Sequence, residues 1–507
     1  MNKIILIAVL YLISQTAVCQ TNYFKIFKTP LYDWAGASIE TENGDIIMST
    51  GVASDVFLTP RYLKFYKINS SGDTIASKVI KRNEDYYNFG RILKLGNDQY
   101  IAVGSSFYFG SNNMFSIHNK LIYYTFNSNL DSISFKEVTM DDNAIQYLSL
   151  RDAILNKNNH IVTLCEDMSM HNIMLLEATL EGDSIRSSHL LPLPGYGARI
   201  YSIMQKTDYS GYSITTEGDF NHGNYGYISH IISTDSLLNF VTIDSLPGEC
   251  AYISQLRPFN NNILVGGRAK RSWTANYPPY QTEEYCIEKL DTGLQTIRQV
   301  YLSHVYLNHH GSAEDTISYP PLSQNFDFTD TNNIYTCHFR EYPTAIYPTQ
   351  YNYFVIAKFN SNLDIKWQYY FGYDAYYSPG HIIATSDGGC FVCGMRYDYQ
   401  TQYQQFDIFY LKLDSTGIYE STNEPQIPVH SAIVYPNPGC DDLNIQSGPQ
   451  ISGALFTLYD IQGNSLMEEK INSTEIRLNT SILPPGIYPW NIVFENKVVE
   501  SGKWVKD

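Results

Sequence analysis

The sequence predicts an all-β chain: a seven-bladed β-propeller with four-stranded blades, followed by a small immunoglobulin-like β-sandwich. Three observations carry this reading. Two strand patterns each recur seven times between residues 22 and 417. The composition is weighted toward strand formers, with 43 tyrosines in 507 residues, 44% hydrophobic and only 17% charged. Such a chain suits pleated, half-buried surfaces and has ample material for a core. Beyond residue 420 the repeat stops, and short alternating segments with turn signals every ~10 residues indicate a small antiparallel sandwich.

The N-terminus reads as a secretory signal over residues 1–19. Lys3 supplies a positive start, and Ile4 to Ile13 is an apolar stretch too short to span a bilayer. Ala17 and Cys19 place small residues for cleavage before Gln20. The alternative is a lipoprotein acylated at Cys19, which Val18 opposes, since that processing wants a small residue directly before the cysteine. No transmembrane span is expected in the mature chain. The formal net charge of −17 is the wrong sign for a surface that tracks phosphates, so nucleic acid is not an expected partner.

The propeller is expected over residues 20–420. One repeated pattern is a hairpin: an alternating strand, a tight Gly/Asn/Asp turn and a β-branched strand. Examples are AGASIETENGDIIMSTG from Ala35, FGRILKLGNDQYIAVG from Phe89 and GHIIATSDGGCFVCG from Gly380. Asn43-Gly44-Asp45, Asn97-Asp98 and Asp387-Gly388-Gly389 supply the left-handed residues that tight hairpins require. The other pattern is an apolar strand ending in a polar turn, as in YLKFYKINSSGD from Tyr62 and YFVIAKFNSNLD from Tyr353. With a following outer strand these give four strands in ~50–70 residues, the content of a propeller blade. The chain opens on an outer-type strand, NYFKIFKT from Asn22, and the last repeat lacks one. Residues 22–29 are therefore expected to complete the last blade and leave no open edge. The repeat resembles that of many bacterial secreted propellers, which implies architecture and little about activity.

In a four-stranded propeller, the connections from second to third strand and from one blade to the next share a face. The long insertions lie there: Phe107 to Asn119, Arg268 to Glu283, Tyr306 to Tyr319, Arg340 to Gln350 and Arg396 to Gln405. They are aromatic, and Trp273, Tyr277, Tyr280, Tyr347, Tyr397, Tyr399 and Tyr403 are the candidate ligand-face residues. Phe107, Tyr108, Phe109 and Tyr342 accompany them. The competing reading is that these rings merely pack on one another.

No catalytic residue, metal site or cofactor is assigned. The chain carries no H-E-x-x-H, G-x-S-x-G, P-loop or EF-hand pattern. His309-His310 with Glu314 and Asp315 is the densest ligand-like cluster, and it lacks the remaining ligands of a known site. Removal of Cys19 leaves seven of the eight cysteines, an odd and scattered set that does not suggest a disulfide framework. Cys390 and Cys393 lie in a strand pattern that points them to opposite faces, so they read as small buried residues. At the turn before the outer strand, Asp73-Thr74-Ile75, Asp131-Ser132-Ile133, Asp183-Ser184-Ile185 and Asp235-Ser236-Leu237 recur. They resemble an O-glycosylation acceptor of some Gram-negative exported proteins. Turn chemistry, with Asp and Ser capping nearby backbone, explains the same residues.

Residues 421–432, with Pro425 and Pro428, form the expected linker, and 433–507 the sandwich. In order come Tyr435-Pro436-Asn437-Pro438, Leu443-Asn444-Ile445, Asp460 and Gly463 after an apolar strand, Gly486-Ile487-Tyr488, and a basic-apolar terminus at Lys503. That series is similar to the type A C-terminal sorting domain of type IX secretion. The resemblance implies export by the general pathway, then passage over the outer membrane of a Gram-negative cell through the type IX machinery, ending secreted or at the cell surface. Pro489 departs from the pattern. It removes a ladder donor, so its strand is expected at an edge or starting one residue later. The leading functional expectation is a non-enzymatic binding protein whose loop-rich face engages glycan or protein. A polysaccharide hydrolase or lyase, and a structural or adhesive surface component, are the alternatives.

Overall fold

Each repeat closes into one antiparallel sheet. The computed structural model describes residues 22–28, 32–53, 61–80, 86–109, 115–116, 120–139, 148–167, 172–190, 199–218, 228–246, 250–273, 280–302, 318–319, 324–340, 348–349, 351–400, 405–417, 429–430, 432–435, 437, 439–447, 451–473, 475–494 and 497–506. The signal residues Ala17, Cys19 and Gln20 lie outside them, as do His309, His310, Glu314 and Asp315. Blade one is Tyr32–Glu40, Ile46–Ala53, Arg61–Ile68 and Thr74–Ile80, hydrogen-bonded in that order. Six further sheets follow, with inner strands Tyr86–Gly96, Leu148–Leu155, Arg199–Gln205, Cys250–Phe259, Phe326–Phe328 and Tyr376–Ala384. Inner strands pack against those of the next blade, Phe259 meeting Phe328 between blades five and six, and the seventh returns to the first. The ring closes as the sequence predicts. Tyr23–Phe27 pairs antiparallel with Asp407–Leu413, setting Tyr23 opposite Lys412 and Phe27 opposite Ile408.

Middle strands are apolar on both faces because neighbouring blades cover both. Asp407–Leu413 is buried at every position, and Cys390 and Cys393 point into separate clusters on its two sides. Outer strands are wetter; Phe240–Ser245 is exposed throughout.

The polar turns follow one rule. An opening residue caps the turn: Asn69 and Asn127 Oδ1 each accept from the backbone N–H groups two and four residues on. Asp235 does the same for Leu237 and Asn239. The fourth Asp-Ser/Thr motif is therefore out of step: Asp235 opens its turn, whereas Asp73, Asp131 and Asp183 close theirs. The position before the closing residue is left-handed in all seven blades, occupied by Gly72, Leu130, Gly182, Leu238, Leu294, Leu363 and Gly417. A Cβ on Gly72, Gly182 or Gly417 would sit 2.6, 3.1 and 2.6 Å from the side chains of Tyr23, Tyr123 and Trp367. In the other four blades a leucine takes the position, and Leu238 and Leu363 are fully buried. Burial of about 1.5–3 kcal/mol offsets the roughly 1–2 kcal/mol that a left-handed leucine costs.

Two cysteines overturn the expectation of unpaired thiols. Cys250, on the inner strand of blade five, is disulfide-bonded to Cys286 on the third strand, with Cα atoms 6.2 Å apart. Their separation of 36 residues gives no local signal; only the blade's register brings them together. Among the described residues, these two and Glu288 form the one group of three metal-ligand types in close reach. The disulfide occupies both sulfurs.

The C-terminal sandwich packs Ala432–Tyr435, Asp442–Ser447 and Glu475–Asn479 against a sheet of Leu455–Tyr459, Ser465–Lys470, Gly486–Phe494 and Lys497–Lys506. Its two sheets hold three and four strands. Pro489 lies inside Gly486–Phe494, neither at a sheet edge nor before the strand's start. The position is tolerated because Leu455–Tyr459 begins pairing only at Trp490, opposite Leu458. The linker is also not wholly free of the propeller. Val429–His430 adds to the outer strand of blade six, with Phe371 opposite Val429 and Tyr370 opposite His430.

Candidate functional site

Two regions gather polar and aromatic chemistry: the central channel and the loop face above blades six and seven. Six of the seven inner strands carry a register shift at the same level, between Ala35 and Ser38, Phe89 and Arg91, Leu150 and Asp152, Ile200 and Ile203, Ile253 and Gln255, and Pro379 and His381. Such bulges bend the strand and free backbone groups from the ladder. Side chains of adjoining blades take up the freed groups. Asp152 Oδ2 accepts from Ile203 N at 3.0 Å and Ser202 Oγ at 2.8 Å. Gln255 Oε1 accepts from Asn325 N at 2.8 Å and Phe326 N at 3.0 Å, and Asp327 Oδ2 from Ala384 N at 2.8 Å.

Arg91 crosses the channel, donating from Nε to Asp152 Oδ1 and from Nη1 to Gln324 Oε1, each at 2.6 Å. Arg257 pairs with Asp327. A cavity of about 410 Å³, lined by Ser38, Glu40, Arg91, Arg257, Gln324 and Asp327, lies toward the short-turn side. Both arginines are paired with carboxylates and Glu40 accepts from Ser386, so the channel reads as a bolt holding the blades rather than a ligand cradle.

His381 belongs to that bolt. It is buried, with Nε2 bonded to Ser38 Oγ and Cys393 Sγ at 3.4 Å. Burial, reinforced by the charge of Arg91, pushes its pKa down to about 3. An unfolded histidine protonates near pH 6.5, so the unfolded state takes up the proton first on acidification. Stability is then full above about pH 6.5 and falls toward pH 3. Thermal unfolding from pH 7 to 4 should decline more steeply for the native chain than for His381→Gln. Equal slopes would remove His381 as the cause.

The loop face holds the second region. Tyr351 precedes the third strand of blade six, Tyr373 lies between blades six and seven, and Tyr399 follows the second strand of blade seven. Their rings meet, which places these connections on one face. Tyr353 stacks on Tyr373 at 4.5 Å and 9°; Tyr351 lies 6.3 Å from Tyr373 and 5.1 Å from Tyr399. Tyr353 also meets Tyr370 edge-on at 6.4 Å. The result is a continuous ladder, Tyr370–Tyr353–Tyr373–Tyr351–Tyr399. Tyr373, with φ of 75°, is 51% exposed, held out by its N–H donating to Asn352 O at 2.9 Å. Beneath the ladder, Arg396 Nη2 reaches Asp374 Oδ2 at 3.1 Å and Asp398 Oδ2 at 3.8 Å, and its Nε donates to the Tyr377 hydroxyl at 3.1 Å. Asp374 and Asp398 thus stand beside the exposed Tyr373 and the half-buried Tyr351 and Tyr399, the pairing that suits a polyhydroxylated ligand.

Of the candidate face residues, Tyr399 belongs to this ladder. Tyr397 does not: it is 4% exposed and stacks on Phe406 at 4.8 Å, because it still lies within the strand Cys390–Tyr397 and points into the blade. Trp273 and Tyr280 are cross-strand partners at the end of an extended hairpin, where the sequence suggested a loop. Tyr277, Tyr347 and Tyr403 lie outside the described residues. Sequence reasoning missed Tyr351, Tyr353, Tyr370 and Tyr373. For Tyr370 the signal was the aromatic run Trp367-Gln368-Tyr369-Tyr370-Phe371 in an outer strand, where Thr74–Ile80 and Ser184–Leu190 carry no aromatic ring of that kind.

The motif residues of the sandwich have physical work. Asn437 clamps the terminal strand like an added strand, Nδ2 donating to Lys503 O at 2.7 Å and Oδ1 accepting from Val505 N at 2.9 Å. Asp460 Oδ1 caps its turn through Gln462 N and Asn464 N, and Gly463 takes φ of 86° there. Tyr488 donates to Pro484 O at 2.5 Å and lies 5.9 Å from Trp504, which is fully buried. Lys503 sits opposite Pro489, while Gly486 opens its strand opposite Lys506. Pro436 and Pro438 lie outside the described residues.

These features define an exported protein with a dedicated C-terminal targeting module. Residues 433–507 match the family described as the secretion system C-terminal sorting domain. The chain is a secreted or cell-surface protein of a Gram-negative bacterium that engages the type IX machinery through that domain. No relative was found among curated proteins. Among solved structures, the chain is similar to PorZ, an essential surface component of the type-IX secretion system of Porphyromonas gingivalis, at 11% identity and TM-score 0.32, covering 92% of this chain and 74% of that one. It is also similar to an α-L-arabinanase of Penicillium chrysogenum, at 10% identity and TM-score 0.38, covering 65% and 93%. At such TM-scores neither likeness bears on function. No helix of the described residues is long and apolar enough to cross a membrane.

Proposed function

We propose that this is a non-enzymatic surface or secreted binding protein whose propeller engages a neutral glycan along the tyrosine ladder. The observation that carries the reading is the run of rings from Tyr373 through Tyr351 to Tyr399, flanked by Asp374 and Asp398. Flat rings stack on sugar faces, and carboxylates accept hydrogen bonds from hydroxyls. The net charge of −17 disfavours acidic polysaccharides. The candidate boundaries 1–19, 20–420, 421–432 and 433–507 are part of the proposal, with Val429–His430 assigned to blade six's edge.

Glycan arrays with the full chain test it. Tyr373→Ala and Tyr399→Ala should each weaken binding about 2–12-fold, the loss of one stacking contact of roughly 0.5–1.5 kcal/mol. Unchanged affinity in both would remove the ladder as the site. Release of new reducing ends from a bound polysaccharide would instead establish a hydrolase.

A further inference from the structure

Blade six differs from the other blades at its outer strand. By register, Tyr370 opposite Val355 holds the position that Val79, His189 and Ser245 hold in blades one, three and four. Those three are exposed, whereas Tyr370 is 2% exposed. Two segments beyond the propeller account for the difference. Val429–His430 pairs along the edge of Tyr370 and Phe371. Tyr435, the first residue of the sorting-domain motif, packs with Tyr353 against Val355 and Tyr370. Tyr435, supplied by the sorting domain, thereby closes off the Tyr370 end of the ladder, its hydroxyl donating to Glu475 Oε1 at 3.1 Å.

We propose that Tyr353 and Tyr370 form a further subsite of the glycan-binding ladder, which Val429–His430 and Tyr435 cover, so that the docked sorting domain and the ligand compete for it. This rests on the glycan reading of the ladder. Among the described residues the contact is two paired residues and one aromatic ring, a size whose release is within reach of ordinary conformational opening. An uncovered strand edge next to exposed rings is also a surface that exported proteins do well to keep shielded in transit. The full chain is then the closed form, and a chain whose sandwich is displaced or removed presents the longer ladder.

The test labels tyrosine hydroxyls with N-acetylimidazole and reads each site by peptide mass spectrometry. Two chains are compared with the native one: the double variant Val429→Pro with Tyr435→Ala, and a chain ending at Glu424. The shorter chain retains all seven sheets, because the ring closes through Tyr23–Phe27 and needs nothing beyond residue 413. Acetylation of Tyr370 should rise at least about 5-fold in both, while the exposed Tyr373 stays unchanged. Tyr370 remaining protected in both chains would overturn the covered subsite and leave the glycan reading untouched.

Affinity electrophoresis in laminarin, xylan and mannan supplies the second arm. Tighter retention of the two altered chains than of the native chain supports competition. Equal retention with Tyr370 uncovered overturns it. No retention of any chain, with Tyr370 uncovered, refutes the glycan reading and the competition together.

Discussion

A chain ended at Glu424 should fail to reach the cell surface and accumulate inside the outer membrane, measured by protease shaving and fractionation of cells. The propeller it leaves is complete, so the loss reports targeting rather than misfolding. Removing Trp504 should act in the same direction by unfolding the tag. Trp504 is fully buried among Tyr488, Trp490 and Ile492 in the sandwich core. Trp504→Ala should cost about 3–5 kcal/mol, most of what holds a domain of this size together. Asn437→Ala, which removes both bonds to the terminal strand, should give a milder defect. Continued surface delivery of the Glu424 truncation would refute the assigned role of residues 433–507.

Asp152→Ala should destabilise the propeller by about 3–5 kcal/mol, the loss expected when a buried ion pair is broken from one side. Asp152 is 1% exposed and joins three blades: Arg91 of blade two, its own blade three, and Ser202 and Ile203 of blade four. Its removal strands the guanidinium and two further donors in the channel. Urea unfolding checks the size, and Arg91→Met with Asp152→Leu checks the cause. If the uncompensated charge dominates, the double variant recovers much of the stability. A loss below about 1 kcal/mol for Asp152→Ala would show that water replaces the carboxylate.

Blade number, ring closure and the sorting domain were legible because each rests on local periodicity. Alternation in Ala35 to Gly51, the turn at Asn97-Asp98 and the unpaired opening strand at Asn22 state their roles within a few residues. The candidate site was half legible. Tyr399 and the loop face followed from strand order, but Tyr397, two residues earlier, lies inside its strand and is buried. Residues two apart share a strand face, so what separates the two rings is that the strand ends at Tyr397.

The sequence by itself thus determined an exported all-β repeat with a sorting domain, since pattern and turn chemistry act between near neighbours. Tertiary structure alone decided the rest. It joined Cys250 to Cys286, carried Arg91 across 233 residues to Gln324, and set Tyr351, Tyr373 and Tyr399 ring to ring. It also laid Val429–His430 along blade six and set Tyr435 of the sorting motif against Tyr370. Those contacts depend on where separate blades meet, and the register and rotation that bring them together are properties of the closed ring.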